Sequence, residues 1–258
     1  MKLRIVFIGA GNLATHLAEA LQQNGYPVLM VYSRTEKSAS LLAKKLGCRF
    51  TARIEEIDTS ADLFFVALKD AAVQDVLTQI DFQNKLVVHC SGSLPLSVLK
   101  NHSKNRGVLY PLQTFSKKRE IDFRTIPLFV EASSEENEKL LLRIAEKISS
   151  SIFVYDSAKR KSLHVSAVFA CNFVNHFYAI AAQYLNANEI PFEVLKPLIL
   201  ETAKKVQEME PKEAQTGPAV RFDENIINDH LNELESFPEY KELYNTISKS
   251  IFEYHKKL

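Results

Sequence analysis

Leu3-Arg4-Ile5-Val6-Phe7-Ile8-Gly9-Ala10-Gly11-Asn12-Leu13-Ala14 is the stretch whose reading decides the fold. Leu3–Ile8 is a short, continuous apolar run, the pattern of a strand buried on both faces of a sheet. It ends on Gly9, and an amphipathic helical pattern follows over Asn12–Gln23. The junction reads G-x-G-x-x-A. Gly9 permits the tight turn, Gly11 lets a pyrophosphate approach the backbone, and Ala14 is small enough for close helix–strand packing. The helix start, with Asn12 and Leu13, offers free N–H groups and positive dipole to phosphate. A dinucleotide-binding βαβ unit is therefore expected here.

Working outward, further apolar runs occur at Val28–Tyr32, Asp62–Leu68, Lys85–Cys90, Gly107–Tyr110, Pro127–Glu131 and Ser151–Tyr155. Helical patterns such as Ser134–Ile148 lie between them. Alternating strands and helices predict a doubly wound, mostly parallel Rossmann sheet. After Asp156 the pattern changes. Ala158–Asn188 has no Gly or Pro and is apolar on most of its circumference, which predicts a helix buried all round by its own domain or by a partner chain. Phe192–Met209, Asp223–Glu235 and Pro238–Lys256 read as further helices, and Pro211–Pro218 as a loop. The expected architecture is an α/β Rossmann domain, residues 1–156, followed by an all-α domain, residues 157–258.

Ligands of such sheets bind at the carboxyl ends of strands. The second strand ends in Ser33-Arg34-Thr35 rather than in the Asp or Glu that would hold the ribose hydroxyls of NAD. A guanidinium and two hydroxyls suit a 2′-phosphate, so the expected cofactor is NADP, with Glu36 facing away in the first helical turn. Leu68 and Lys69 should line the same crevice, with Asp70 as a helix N-cap. Ser91 and Gly92 should approach the nicotinamide ribose or the substrate, and Cys90 reads as a small strand residue.

The chain has 258 residues, with 32 basic against 31 acidic, and this balance lacks the basic footprint of a nucleic-acid binder. Three scattered cysteines without C-x-x-C spacing argue against a disulfide framework and for a reducing compartment. No secretory signal pattern is found at the N-terminus. The most apolar stretch, 163–185, is interrupted by His164, Ser166, Asn172, Asn175 and His176, which disfavours a membrane span. The reading is of a cytoplasmic protein acting on a small molecule.

The strings His89-Cys90-Ser91-Gly92-Ser93 and Tyr110-Pro111-Leu112-Gln113-Thr114-Phe115-Ser116 belong to one set with His164-x-x-x-Val168-x-x-x-Asn172-Phe173-x-Asn175-His176. Gln215-Thr216-Gly217-Pro218-Ala219-x-Arg221-x-Asp223, followed by His230, completes it. Together they resemble a bacterial family of candidate NADP oxidoreductases. That family joins a Rossmann domain of the deazaflavin-dependent type to a helical domain of undefined function. The resemblance covers nearly the whole chain and implies homodimers built through the helical domain. The layout is more distantly similar to pyrroline-5-carboxylate reductase, ketopantoate reductase and prephenate dehydrogenase. Tyr110-Pro111 stands where prephenate dehydrogenases carry His-Pro. Val168 stands where β-hydroxyacid dehydrogenases carry a catalytic Lys, so neither chemistry transfers directly.

Hydride transfer asks of the protein orientation, a polarising donor and a proton source. His164, Val168 and Asn172 recur every four residues and should share a helix face, with His176 continuing the row and Asn175 on a neighbouring track. His164 is the candidate proton donor, Asn172 the candidate for holding the polar group of the substrate, and Asn175 a further catalytic candidate. Arg221 is a candidate clamp for a substrate carboxylate, with Asp223 its partner or a helix cap. Gln113 and Thr114 should face the crevice. The expected activity is NADP(H)-dependent reduction of a small C=O or C=N substrate bearing a carboxylate. A non-catalytic NADP-binding protein and an enzyme passing hydride to a deazaflavin coenzyme are the alternatives.

Overall fold

The computed structural model describes residues 3–256. In chain order the strands are β1 (Ile5–Ile8), β2 (Val28–Tyr32), β3 (Arg49–Thr51), β4 (Leu63–Val66), β5 (Leu86–His89), β6 (Arg106–Pro111), β7 (Leu128–Ala132) and β8 (Ile152–Val154). The helices are α1 (Asn12–Gln23), α2 (Glu36–Leu46), α3 (Val73–Leu77), α4 (Glu135–Ile148), α5 (Ser157–Ala167), α6 (Val174–Ala187), α7 (Lys196–Glu208), α8 (Pro211–Ala214), α9 (Pro218–Arg221), α10 (Glu224–Glu233) and α11 (Pro238–Lys256).

Every residue of β1 is buried, and its two faces serve two cores. Ile5 and Phe7 pack with Leu17 and Leu21 of α1, while Val6 and Ile8 pack with Met30, Phe64 and Leu77. Burial of a side chain of this size is worth about 1.5–3 kcal/mol, which is why the run reads continuously apolar rather than alternating. Phe7 also stacks on Phe65 of the neighbouring strand at 5.2 Å.

One eight-stranded sheet runs in the order β3-β2-β1-β4-β5-β6-β7-β8. Its first six strands follow the doubly wound dinucleotide-binding order, with the switch point between β1 and β4. Seven of these eight strands are the apolar runs of the sequence, with ends differing by one or two residues. The eighth, β3, was not expected: Arg49-Phe50-Thr51 is a three-residue edge strand with two exposed positions and offers no apolar signal.

β7 runs antiparallel to β6, and β8 runs parallel to β7. The chain therefore leaves β8 at the opposite edge of the sheet from the carboxyl ends of β1–β6. It must climb back as α5, starting where Ser157 Oγ meets the carboxylate of Glu131 at 2.8 Å, level with Val108. The climb ends with His164 beside Tyr110, two residues further along β6. The strand reversal thus places His164 at the carboxyl edge.

The chain divides into two compact units, one running through Asn172 and the other beginning at Phe173. The sequence-based boundary at 156 coincides with the end of the last strand, but α5 and the turn after it contact the sheet unit. That turn, Val168–Phe173, is a π-helix. Its i→i+5 bonding takes an extra residue per turn and breaks the expected row of four-residue spacings after Val168. Pro211–Pro218, expected as a loop, contains the single-turn α8.

In the second unit, the buried residues among those described are Ala219, Ile227 and Ser248. Phe177, Val194, Leu198 and Leu200 are exposed. The long helix expected to be buried all round is thus not covered by its own chain. Ser157–Ala187 is also long and apolar enough, by length and composition, to cross a membrane.

Candidate active site

The glycine loop forms the turn its sequence requires. Gly9 has φ +120° and its N–H donates to Tyr32 O at 2.8 Å, which ties the loop to the end of β2. Gly11 occupies the cap position of α1, where no side chain caps the helix and the first turn carries no acid. A methyl at Gly11 would meet nothing within 4 Å. The first N–H groups of α1 thus open onto free space, and this cradle fits a diphosphate. Ala14 is fully buried in the core beneath, Leu13 packs against it, and Asn12 is exposed at the helix start.

A segment not anticipated from sequence crosses this loop. Asn12 Nδ2 donates to Phe115 O at 2.9 Å, and His16 Nε2 lies 3.0 Å from Ser116 O. Lys117 Nζ donates to Ala10 O at 2.7 Å. Residues 115–117 are strapped to the cradle and set a cation beside it.

At the end of β2, Ser33 N–H bonds to Thr51 O at 3.2 Å, and Arg34 is exposed with no ion pair among the described residues. Thr35 occupies the cap position of α2, where its hydroxyl donates to Ser38 Oγ, and Glu36 opens that helix. Leu68 flanks Gly9, and Lys69 is exposed. The expected cap role of Asp70 is corrected: Lys69 holds the cap position of a 3-10 turn whose first residue is Asp70. Ser91 Oγ accepts from the N–H groups of Ser93 and Leu94, so its hydroxyl oxygen shapes the turn. Cys90 is buried, and burial alone pushes its thiol up. Gln113 Oε1 accepts from Thr114 N–H at 2.8 Å, and both residues are exposed.

Gly92, Tyr110 and His164 form one cluster. Tyr110 OH lies 2.9 Å from His164 Nδ1, with the rings edge-on at 5.8 Å. A methyl on Gly92 would fall 2.6 Å from His164 Nδ1 and 2.8 Å from the Tyr110 ring, so only glycine lets the two meet. Tyr110 is buried, and desolvation raises its pKa while Arg160 pulls it down. Arg160, one turn before His164, is itself 1% exposed. It pairs with Glu131 and donates to Leu94 O at 2.6 Å.

Residues 4–92 match the family described as NADP oxidoreductase, coenzyme F420-dependent, and residues 126–251 match a domain of unknown function. A candidate NADP oxidoreductase from Bacteroides fragilis of known crystal structure is 48% identical, covers 98% of each chain and superposes with a TM-score of 0.92. The chain belongs to the Rossmann-fold NADP(H) oxidoreductases. A Thermotoga maritima protein of the same fold is 25% identical over 98% of each chain, with a TM-score of 0.73. The pyrroline-5-carboxylate reductase of Vibrio alginolyticus is 33% identical over 101 residues, which span 37% of each protein.

In this oxidoreductase the other expected site residues stand along the helices. Asn172 ends the first unit inside the π turn and is exposed, while Asn175 and His176 are exposed on α6. Arg221 ends α9 and is exposed. Asp223 caps α10 by accepting from Ile226 N–H. His230 Nδ1 lies 2.8 Å from Tyr244 OH.

Sequence reading passed over Arg160 and Lys117 and gave Tyr110 and His89 no individual role, although both stood in strings it singled out. Arg160 carried one usable signal, a charge four residues before His164 and hence on the same helix face. His89 is 1% exposed, its Nδ1 accepts from Ser91 N–H, and the backbone of Pro95 lies against its ring. Burial, then the nearby Arg160 charge, lowers its pKa to about 3. The native state thus keeps His89 neutral while the unfolded chain protonates near pH 6.5, so stability is full above 6.5 and falls as pH drops toward 3. Between pH 7 and 5, urea unfolding should lose about 2 kcal/mol more in the parent than in His89→Asn. Equal losses would show that His89 is not held neutral.

Proposed function

We propose that this protein reduces a small C=O or C=N substrate bearing a carboxylate, with NADPH as hydride donor and His164 as proton donor. The observation that carries this reading is the Tyr110–His164 pair beside Gly92, at the carboxyl edge that also holds the glycine cradle. Bound NADPH supplies the hydride. The cradle and Lys117 hold the diphosphate, and Ser33, Arg34 and Thr35 hold the 2′-phosphate. Leu68, Lys69 and Gly92 line the way to the reacting carbon. His164 presents a ring N–H to the oxygen or nitrogen that gains charge. Asn172, which closes the same unit, orients that polar group.

NADPH and NADH titrations followed by cofactor fluorescence test the nucleotide half of this proposal. NADPH should bind more tightly, and Arg34→Ala should remove about 1.5–3 kcal/mol, roughly 10- to 100-fold, of that preference. Equal affinity for both nucleotides in the parent protein would remove Arg34 from the site.

The protein works as a homodimer in the cytoplasm. Support for the dimer comes from the second unit, which leaves Phe177, Val194, Leu198 and Leu200 exposed. The polar residues His164, Ser166, Asn172, Asn175 and His176 favour a second protein copy over lipid as the cover of the long helix. Balanced charge and three free cysteines support the compartment. Sedimentation should give a species of twice the 29.3 kDa chain mass. A monomer at micromolar concentration would overturn this assignment.

A further inference from the structure

We propose that Tyr110 is the positioning residue and proton reserve for His164, with buried Arg160 as the cation that makes this possible. The inference rests on the hydride-transfer reading for its purpose but not for its test. Tyr110 OH and His164 Nδ1 are 2.9 Å apart. Nδ1 of a neutral imidazole either donates or accepts, and the partner decides which. A tyrosine hydroxyl carries one proton, and His164 Nδ1 stands within hydrogen-bond distance to accept it. It donates to Nδ1, so the ring proton of His164 sits on Nε2. That nitrogen lies on the far side of the ring from Tyr110, on a side chain that is only partly buried.

The proton step then balances. As the substrate oxygen or nitrogen gains electron density, the Nε2–H bond breaks and that proton passes to the substrate. Nδ1 takes the hydroxyl proton of Tyr110, so an N–H bond forms as the O–H bond breaks. His164 ends neutral, and the single negative charge rests on the Tyr110 oxygen until water returns a proton. A neutral imidazole alone is a very weak acid, whereas this chain draws on a phenol.

Burial opposes a phenolate, so the reserve needs a cation. The charged and titratable groups around the pair are His89 from β5, Glu131 from β7, Tyr155 just after β8 and Arg160 from α5. Of these, Arg160 favours the phenolate and is held in place by Glu131 and by Leu94 O. Glu131 therefore both anchors the guanidinium and offsets part of its charge. Gly92 completes the device by leaving room for the two rings to meet.

The full-length protein, labelled with 15N at its seven histidines, tests the tautomer, with His164→Gln identifying the His164 signals. The expected spectrum has a protonated Nε2 and an unprotonated, hydrogen-bonded Nδ1. In Tyr110→Phe the two nitrogens should move toward the averaged pattern of a free imidazole. A protonated Nδ1 in the parent, or an unchanged pattern in Tyr110→Phe, would overturn the proposal.

The cation is tested by tyrosinate absorbance after rapid pH jumps. Subtracting the Tyr110→Phe trace isolates Tyr110 from the other eight of the nine tyrosines. Glu131→Gln, which leaves Arg160 its carbonyl anchor, should lower the Tyr110 midpoint by at least half a pH unit. No change, or a rise, would remove Arg160 from the scheme. If NADPH does not bind, the reductase reading fails while the histidine spectrum still decides the pairing.

Discussion

Gly9→Ala is expected to lower the unfolding free energy by about 3–5 kcal/mol, the sum of left-handed strain and a forced clash. At φ +120° the added methyl would sit inside the carbonyl group of Ala67, which is backbone and cannot turn away. That backbone belongs to the sheet, because Ala67 N–H donates to Ile8 O at 2.9 Å. Gly11→Ala is the informative partner. Its φ of −75° suits alanine, and the methyl would enter open space, so stability should stay within about 0.5 kcal/mol. The same methyl would occupy the approach of the diphosphate, and NADPH affinity should drop while folding does not. Urea unfolding and NADPH titration of both variants check this. Equal stability of the two would contradict the assignment of Gly9 to the turn and Gly11 to the cradle.

Arg160→Met is expected to cost about 3–5 kcal/mol, because it leaves the Glu131 carboxylate half-buried without its cation and frees Leu94 O. Replacing both charges, Arg160→Met with Glu131→Leu, should recover most of that loss, since a well-packed apolar pair often equals a buried ion pair. The four unfolding curves form a double-mutant cycle. A coupling near zero would mean that Arg160 and Glu131 act independently, and the stability role assigned to their pair would be withdrawn.

The Rossmann half was legible because its strands are buried on both faces. Val28–Tyr32 reads the same from sequence and from structure, and β5 and β7 shift only at their ends. Asp223 was recognisable as a cap because a side chain that bonds the third following N–H leaves a local signature. The cradle was legible for the same reason, its glycines being demanded by local backbone geometry. Tyr110 and Arg160 were hidden because their roles are set by strand order. Nothing local shows that β7 reverses, and without that reversal Tyr110 and His164, 54 residues apart, have no reason to meet. The π turn was equally invisible, since nothing in Val168–Phe173 marks an extra residue per turn. The long helix is a different case. Its all-round apolar pattern predicted cover by its own domain or by a partner chain, and its own chain leaves most of it open.

The three bonds that strap residues 115–117 to the cradle span 103, 100 and 107 positions along the chain. Contacts of such separation carry a large loop-closure cost and form only after the intervening strands have paired. The strap is therefore expected to be among the last parts of this unit to order. Backbone amides of the strap should accordingly exchange with solvent sooner than those of β1 and slow markedly once NADPH is bound.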